Sequence, residues 1–243
     1  PFVTDADAVR PKANPNAVVV ATAQQSGDSM RVEFPFAGPT PAAAFQRADT
    51  LWLVFDTPAQ IDLAALQADN DNGVREVLFE RADDGAAIVR IKLARPRMAS
   101  LEADGPAWVV KIADTTTASI QPLGIARSIV GKNRASIAVP FENPRAIHSV
   151  RDPDVGDRLL VITALAPARG FLKVQDFVEL HVLPSAHGVT IQPVADDVTA
   201  ELSVDKISIG RPAGLSLSAT ALGQQQVAVS FRAFTFDTQL WGF

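Results

Sequence analysis

The stretch "DTLWLVFDTP" (49–58) decides the fold. In an extended chain Leu51, Leu53 and Phe55 point to one side and Trp52 and Val54 to the other, so both faces are apolar. A strand of this kind belongs in the middle of a sheet that is covered on both sides. The segments around it are also strand-like but half polar. In "SMRVEFPF" (29–36), Met30, Val32, Phe34 and Phe36 alternate with Ser29, Arg31, Glu33 and Pro35, the period of a half-buried strand. "VREVLFERA" (74–82), a turn at "DDG" (83–85) and "AAIVRIKLA" (86–94) read as an antiparallel hairpin. Between these, "DLAALQADNDNG" (62–73) predicts a helix of about two turns, capped by Asp62, with Leu63 and Leu66 three apart and "DNDNG" ending it.

Beyond Thr117 prolines are more frequent and loops longer, but strand patterns continue through "SIQPLGIARSIVG", "RASIAVPF", "RAIHSVRD", "DRLLVITAL", "FLKVQDFVELHVL", "GVTIQPVA", "TAELSVDKISIG" and "AGLSLSA". The expectation is an all-β chain of two sandwich-like domains built from short antiparallel strands, with one short helix. Residues 1–15 read as a flexible arm, 16–117 as the first domain and 118–220 as the second. Residues 221–243 read as an amphipathic segment, strand or helix, leading into a further part of a longer protein.

The chain echoes itself. At a shift of 57 residues "VEFPFAGP" (32–39) lies over "VRIKLARP" (89–96), apolar on apolar and Pro39 on Pro96. "DTLWLVFDTP" is answered by "GPAWVVKIADT" (105–115), where Trp52 and Trp108 coincide at a shift of 56 and the two Asp-Thr pairs at 58. A weaker echo sets Asp157, Leu159 and Val161 where Asp49, Leu51 and Leu53 stand. What repeats is a strand, loop, strand unit, a common route to a sandwich.

The order "RVEFPF", "AAAFQRADTLWLVFDTPAQI", "VREVLFER", "AIVRIKLARP", "ASLEADGPAWVVKIAD" resembles the AMIN domain over residues 16 to 117. That family occurs at the N-terminus of periplasmic cell-wall amidases and in secretin-type pilus proteins. The resemblance implies a paired-sheet β-sandwich that binds peptidoglycan or targets proteins within the envelope. Asp-Thr-Pro follows the central strand here, where Asp-Leu is common in the family. The second half resembles the β-rich N-terminal part of large bacterial envelope proteins.

Composition narrows the function. A net charge of −5, without a basic stripe, gives nothing to attract nucleic acid. The absence of Cys excludes disulfides, thiol catalysis and Cys-ligated zinc, and permits an oxidising compartment. Apolar runs such as Ala17 to Ala21 are far shorter than the roughly 20 residues of a spanning helix. Sixteen Arg against six Lys, with abundant Ala, fit a GC-rich bacterial source. The start at Pro1 reads as a processed product or an excised piece.

For chemistry, Glu179 and His181 share a strand face with His187 in the following turn, a candidate metal or acid/base group for a carbohydrate-active or metal-dependent hydrolase. Asp152, Asp154 and Asp157 around a Gly, and Asp69 to Asn72, are oxygen clusters of the kind that can hold calcium, but they lack the spacing of an EF-hand and read as turn-forming residues first. Gly-x-Ser-x-Gly elbows and phosphate-cradling Gly-rich loops are missing from the sequence. Arg95 and Arg97 could meet anionic groups, and Trp52 and Trp108 could stack on sugars if exposed or fill a core if buried. The expectation is a non-catalytic, cofactor-free interaction or targeting region in the periplasm or cell envelope, whose partner is an envelope polymer or protein. The alternatives are the hydrolase and a purely structural spacer.

Overall fold

The computed structural model describes residues 14, 16–67, 73–115, 120–130 and 134–217. The expected C-terminal segment and, apart from Asn14, the N-terminal arm lie outside the described residues. The first half contains β1 (Val19–Val20), β2 (Thr22–Ser26), β3 (Ser29–Phe34), β4 (Ala42–Arg47), β5 (Thr50–Phe55), β6 (Ile61–Asp62), helix α1 (Ala64–Gln67), β7 (Val74–Arg81), β8 (Ala87–Leu93), β9 (Met98–Asp104) and β10 (Ala107–Ala113). The second contains β11 (Gln121–Pro122), β12 (Ala126–Val130), β13 (Arg134–Pro140), β14 (Pro144–Arg151), β15 (Arg158–Ala164), β16 (Arg169–Gly170), β17 (Gln175–Asp176), β18 (Leu180–Leu183), β19 (Ser185–His187), β20 (Val189–Pro193), β21 (Thr199–Leu202) and β22 (Lys206–Gly210). The chain is all-β and sandwich-like, with antiparallel ladders except for the short parallel pairs β1–β6 and β11–β16.

In the first sandwich the sheet β2-β3-β10-β9 is joined by a common apolar core to the strands β7-β8-β5-β4. Every residue of β5 is buried. Leu51, Leu53 and Phe55 enter this core, where the Phe55 ring lies 5.1 Å from Phe34 and 4.9 Å from Phe36. Trp52 and Val54 enter a different cluster on the far face, so the central, doubly covered strand is observed.

The 57-residue repeat is structural, and its halves are exchanged. Phe34 pairs with Trp108 and Val32 with Val110; one repeat further, Ile91 pairs with Leu51 and Val89 with Leu53. Each sheet therefore has at its centre one strand from each copy, an approximate two-fold arrangement. The β4–β5 and β9–β10 hairpins match at the same shift: Ala44 opposite Leu53 becomes Leu101 opposite Val110. Their turns match too, Ala48 at φ 52° standing where Gly105 has φ 59°.

This register corrects the alignment of the two Trp residues. Trp108 occupies the place of Leu51, facing the sandwich core, whereas Trp52 faces away from it. A slip of one residue exchanges the faces of a strand, so the coincidence at a shift of 56 has no structural counterpart.

The second sandwich follows the same strand order, β12-β13-β22-β21 against β14-β15-β20-β18. Its central pairs Val139–Ile207 and Leu160–Ile191 correspond to Phe34–Trp108 and Leu51–Ile91. The third sequence echo is also one residue out: β15 is the counterpart of β5, but it turns Leu160, Ile162 and Ala164 to its own core and Leu159 and Val161 outward.

Two local expectations change. The helix spans one turn, Ala64–Gln67, with the Asp62 carboxylate accepting from Ala64 N at 3.0 Å, and residues 68–72 lie outside the described residues. The described part of "AGLSLSA", up to Leu217, is not a strand. Its hydrogen bonds go elsewhere: Leu215 N donates to Ala135 O, and Ser216 donates to the Glu179 carboxylate.

Candidate functional site

The two sandwiches meet back to back. Phe45, Trp52, Val54 and Ile88 from the first bury against Val150, Leu159, Val161 and Leu183 from the second. The indole of Trp52 stacks on Phe45 at 5.7 Å and carries the Arg90 guanidinium 5.1 Å from its centroid. Hydrogen bonding also continues between the halves, Ala164 of β15 pairing with Ala42, and Ser185 and His187 of β19 pairing with Phe45 and Ala44. Strand β4, which would otherwise be a bare edge, is closed by residues from more than 100 positions later in the chain.

Charges line the rim of this seam. The Arg47 guanidinium donates to both Asp157 oxygens and to Asp152, all at 2.6 Å, and Gln192 adds a bond to Asp157 at 2.8 Å. Hydrogen bonding from Arg47 holds the Asp157 carboxyl below its usual range, and the same bond raises the Arg47 pKa against the opposing effect of burial. Asp84 and His148 Nδ1 meet across the seam at 2.8 Å. Replacing Arg47 by Met should lower the unfolding free energy by about 2 kcal/mol, because Asp152 stays buried without its cation. A double-mutant cycle with Asp157→Asn in urea unfolding checks this. Simple additivity of the two costs would show that the clamp carries no coupling.

Beside the seam lies an apolar cleft of about 340 Å³ between β4, the start of β9 and the loops around β16 and β19. Phe45, Leu51, Met98, Ile120, Phe171 and Leu172 line it. Met98 and Leu172 remain 51% and 63% exposed, so the apolar wall of the cleft is open to solvent at these two side chains. Of its polar members, Ser185 is already used: its hydroxyl accepts from Phe171 N and donates to Gly188 O. That leaves Gln46 to orient a ligand.

The residues singled out in the sequence take other places. Glu179, His181 and His187 do not converge. Glu179 is buried and accepts from Ser216, while His181 is partly exposed on Asp176 at 2.7 Å. His187 is fully buried, its ring 5.0 Å from that of Trp108. Its Nδ1 accepts from Arg169 N and its Nε2–H donates to Ala164 O, and burial pushes its pKa down to about 4.

Asp152 and Asp157 converge, but on Arg47, and Asp154 lies 3.9 Å from Lys92. Among the described residues no group of three or more His, Cys, Asp or Glu could hold a metal ion. The cluster at Asp69 to Asn72 lies outside the described residues.

Arg95 and Arg97 do come together, around the chain's own Asp114 at 2.8 and 3.1 Å, and Arg97 is buried. The bonds from Arg95 and then Arg97 hold the Asp114 carboxyl below its usual range. Trp52 and Trp108 are both buried, and Trp108 Nε1 donates to Thr40 O at 2.7 Å. Sequence reasoning missed the clefts along the seam, because each is assembled from segments far apart in the chain.

No family model matches the chain. No curated protein and no solved structure matches it either. Among the described residues no helix is long and apolar enough to cross a membrane.

Proposed function

We propose that the chain is a non-catalytic interaction or targeting region of a larger bacterial cell-envelope protein, acting in the periplasm or envelope, with peptidoglycan or an envelope protein as its partner. The carrying observation is the apolar cleft at Met98 and Leu172, whose volume of about 340 Å³ is that of a small binding pocket with mostly apolar walls. The AMIN resemblance supports the compartment. The separate structural engagement of Glu179, His181 and His187 removes the arrangement a hydrolase would need at these residues.

Co-sedimentation with purified sacculi tests this reading. The chain should be retained above a control protein, and Met98→Asp with Leu172→Asp should lower retention by about ten-fold with an unchanged melting temperature, the equivalent of losing one well-buried anchor. Release of soluble fragments from the sacculi over time would overturn the non-catalytic reading. Absence of retention would remove peptidoglycan as the partner.

A further inference from the structure

A second cleft, of about 330 Å³, opens where the β7–β8 hairpin faces the β14–β15 hairpin. Its charged groups are Glu80, Arg81 and Asp83 on one side and Arg151 and Arg158 on the other. Two of these are committed. Arg81 donates to the carbonyls of Thr57, Pro58, Ala59 and Gly85, and Glu80 holds Arg90.

The remaining three have no hydrogen-bond or ion-pair partner among the described residues. Arg151 and Arg158 are direct cross-strand neighbours, both exposed. Like charges set opposite one another weaken a ladder, so this pair stands as an unneutralised cost within a concave site. A group accepting from both guanidinium forks would remove it, and a carboxylate fits such forks. A simple polyanion is disfavoured, because Asp83 and Glu80 face the same space. The charge pattern, two free cations facing one free anion, is complementary to a ligand that carries both signs.

We propose that this cleft binds a short zwitterionic peptide, such as a free dipeptide, with its C-terminal carboxylate on Arg151 and Arg158 and its N-terminal ammonium on Asp83. Ile88 and Val150 supply an apolar wall for the ligand's side chain, and Ser149 a hydroxyl. The assignment deepens the reading of the chain as an envelope-binding region, and rests on it for the biological source of the ligand.

The test is a titration of the isotope-labelled full chain with alanyl-alanine, its N-acetyl derivative and its C-terminal amide, followed by NMR. Alanyl-alanine should shift the Arg151 and Arg158 Nε–H signals and the Asp83 amide. The amide derivative should bind about ten-fold more weakly and the N-acetyl derivative about five-fold, each having lost one charged contact. Arg151→Gln with Arg158→Gln should lose the binding without a fall in melting temperature, since the like-charge pair goes with it. Equal binding of the three probes, or unchanged binding by the double variant, would overturn the assignment. Sacculus retention with silent Arg151 and Arg158 signals would overturn the cleft alone and leave the binding region standing.

Discussion

Gly188→Ala should destabilise the protein by about 3–5 kcal/mol, because a side chain there must displace the backbone at the meeting point of the two halves. Gly188 has φ +76°, and an added Cβ would lie 2.5 Å from Ile162 O and 2.8 Å from the Ala43 Cβ. Ile162 belongs to β15 and Ala43 to β4, so neither can retreat without disturbing both sheets. Local bonds add to the constraint: Gly188 N donates to Arg169 O and Gly188 O accepts from Ser185. Gly27→Ala is the control. That glycine has φ +57° with nothing within 4 Å, so it should cost only the conformational strain, about 1 kcal/mol. Urea unfolding of both variants gives the comparison. A Gly188→Ala cost within error of the Gly27→Ala cost would show that β4 and β15 are not rigidly joined there.

That junction also explains what the sequence conveys and what it conceals. The all-β class, the central position of β5 and the 57-residue repeat were legible, because alternation along one strand and equality of spacing are local properties. Register was not legible where it mattered. In β5 every residue is apolar or small and buried, and residues 159–164 of β15 are all buried as well, so no polar face tells which side meets which core. Aligning Trp52 with Trp108 and Leu159 with Leu51 was therefore wrong by one residue in each case. Strand β3, with its alternating burial, left no such ambiguity.

The candidate site was less legible for a related reason. Arg, Asp, Glu and His have the same identity in a sequence whether they face a ligand or another part of the chain. Asp114 is near Arg95 and Arg97 in sequence, yet nothing in the spacing specifies that it takes both guanidinium groups. Arg47 and Asp157 lie 110 residues apart, and only the folding of the two sandwiches onto one another makes them partners. The same long-range assembly forms both clefts, which is why their lining comes from β4, β9 and β19 in one case and two distant hairpins in the other.

Acid should loosen this junction before it affects the carboxylates, and His187 is the reason. Its folded pKa of about 4 lies below the 6.5 of an unperturbed imidazole, because burial disfavours the cation. Between pH 6.5 and about 4 the unfolded chain takes up a proton that the folded protein refuses, so unfolding gains in that window. The contribution is complete above pH 6.5 and is lost as pH falls towards 4, amounting to about 3 kcal/mol. Asp157 acts in the same direction but at lower pH, since its folded pKa is depressed below that of an ordinary carboxyl at 3.8. Urea midpoints measured from pH 7.5 to 4.5 should therefore fall steadily, and His187→Gln should start lower at pH 7.5 but change less over the same range. The imidazole signal of His187 in the native protein should stay in its neutral position down to about pH 5, one unit above its midpoint. Titration of that signal near pH 6.5, or an undiminished slope in His187→Gln, would place the acid sensitivity elsewhere. Because the neutral ring bridges Arg169 N and Ala164 O at the end of β15, its protonation removes an acceptor where β15, β19 and β4 meet. The seam between the sandwiches is thus the part of the molecule that should open first in acid.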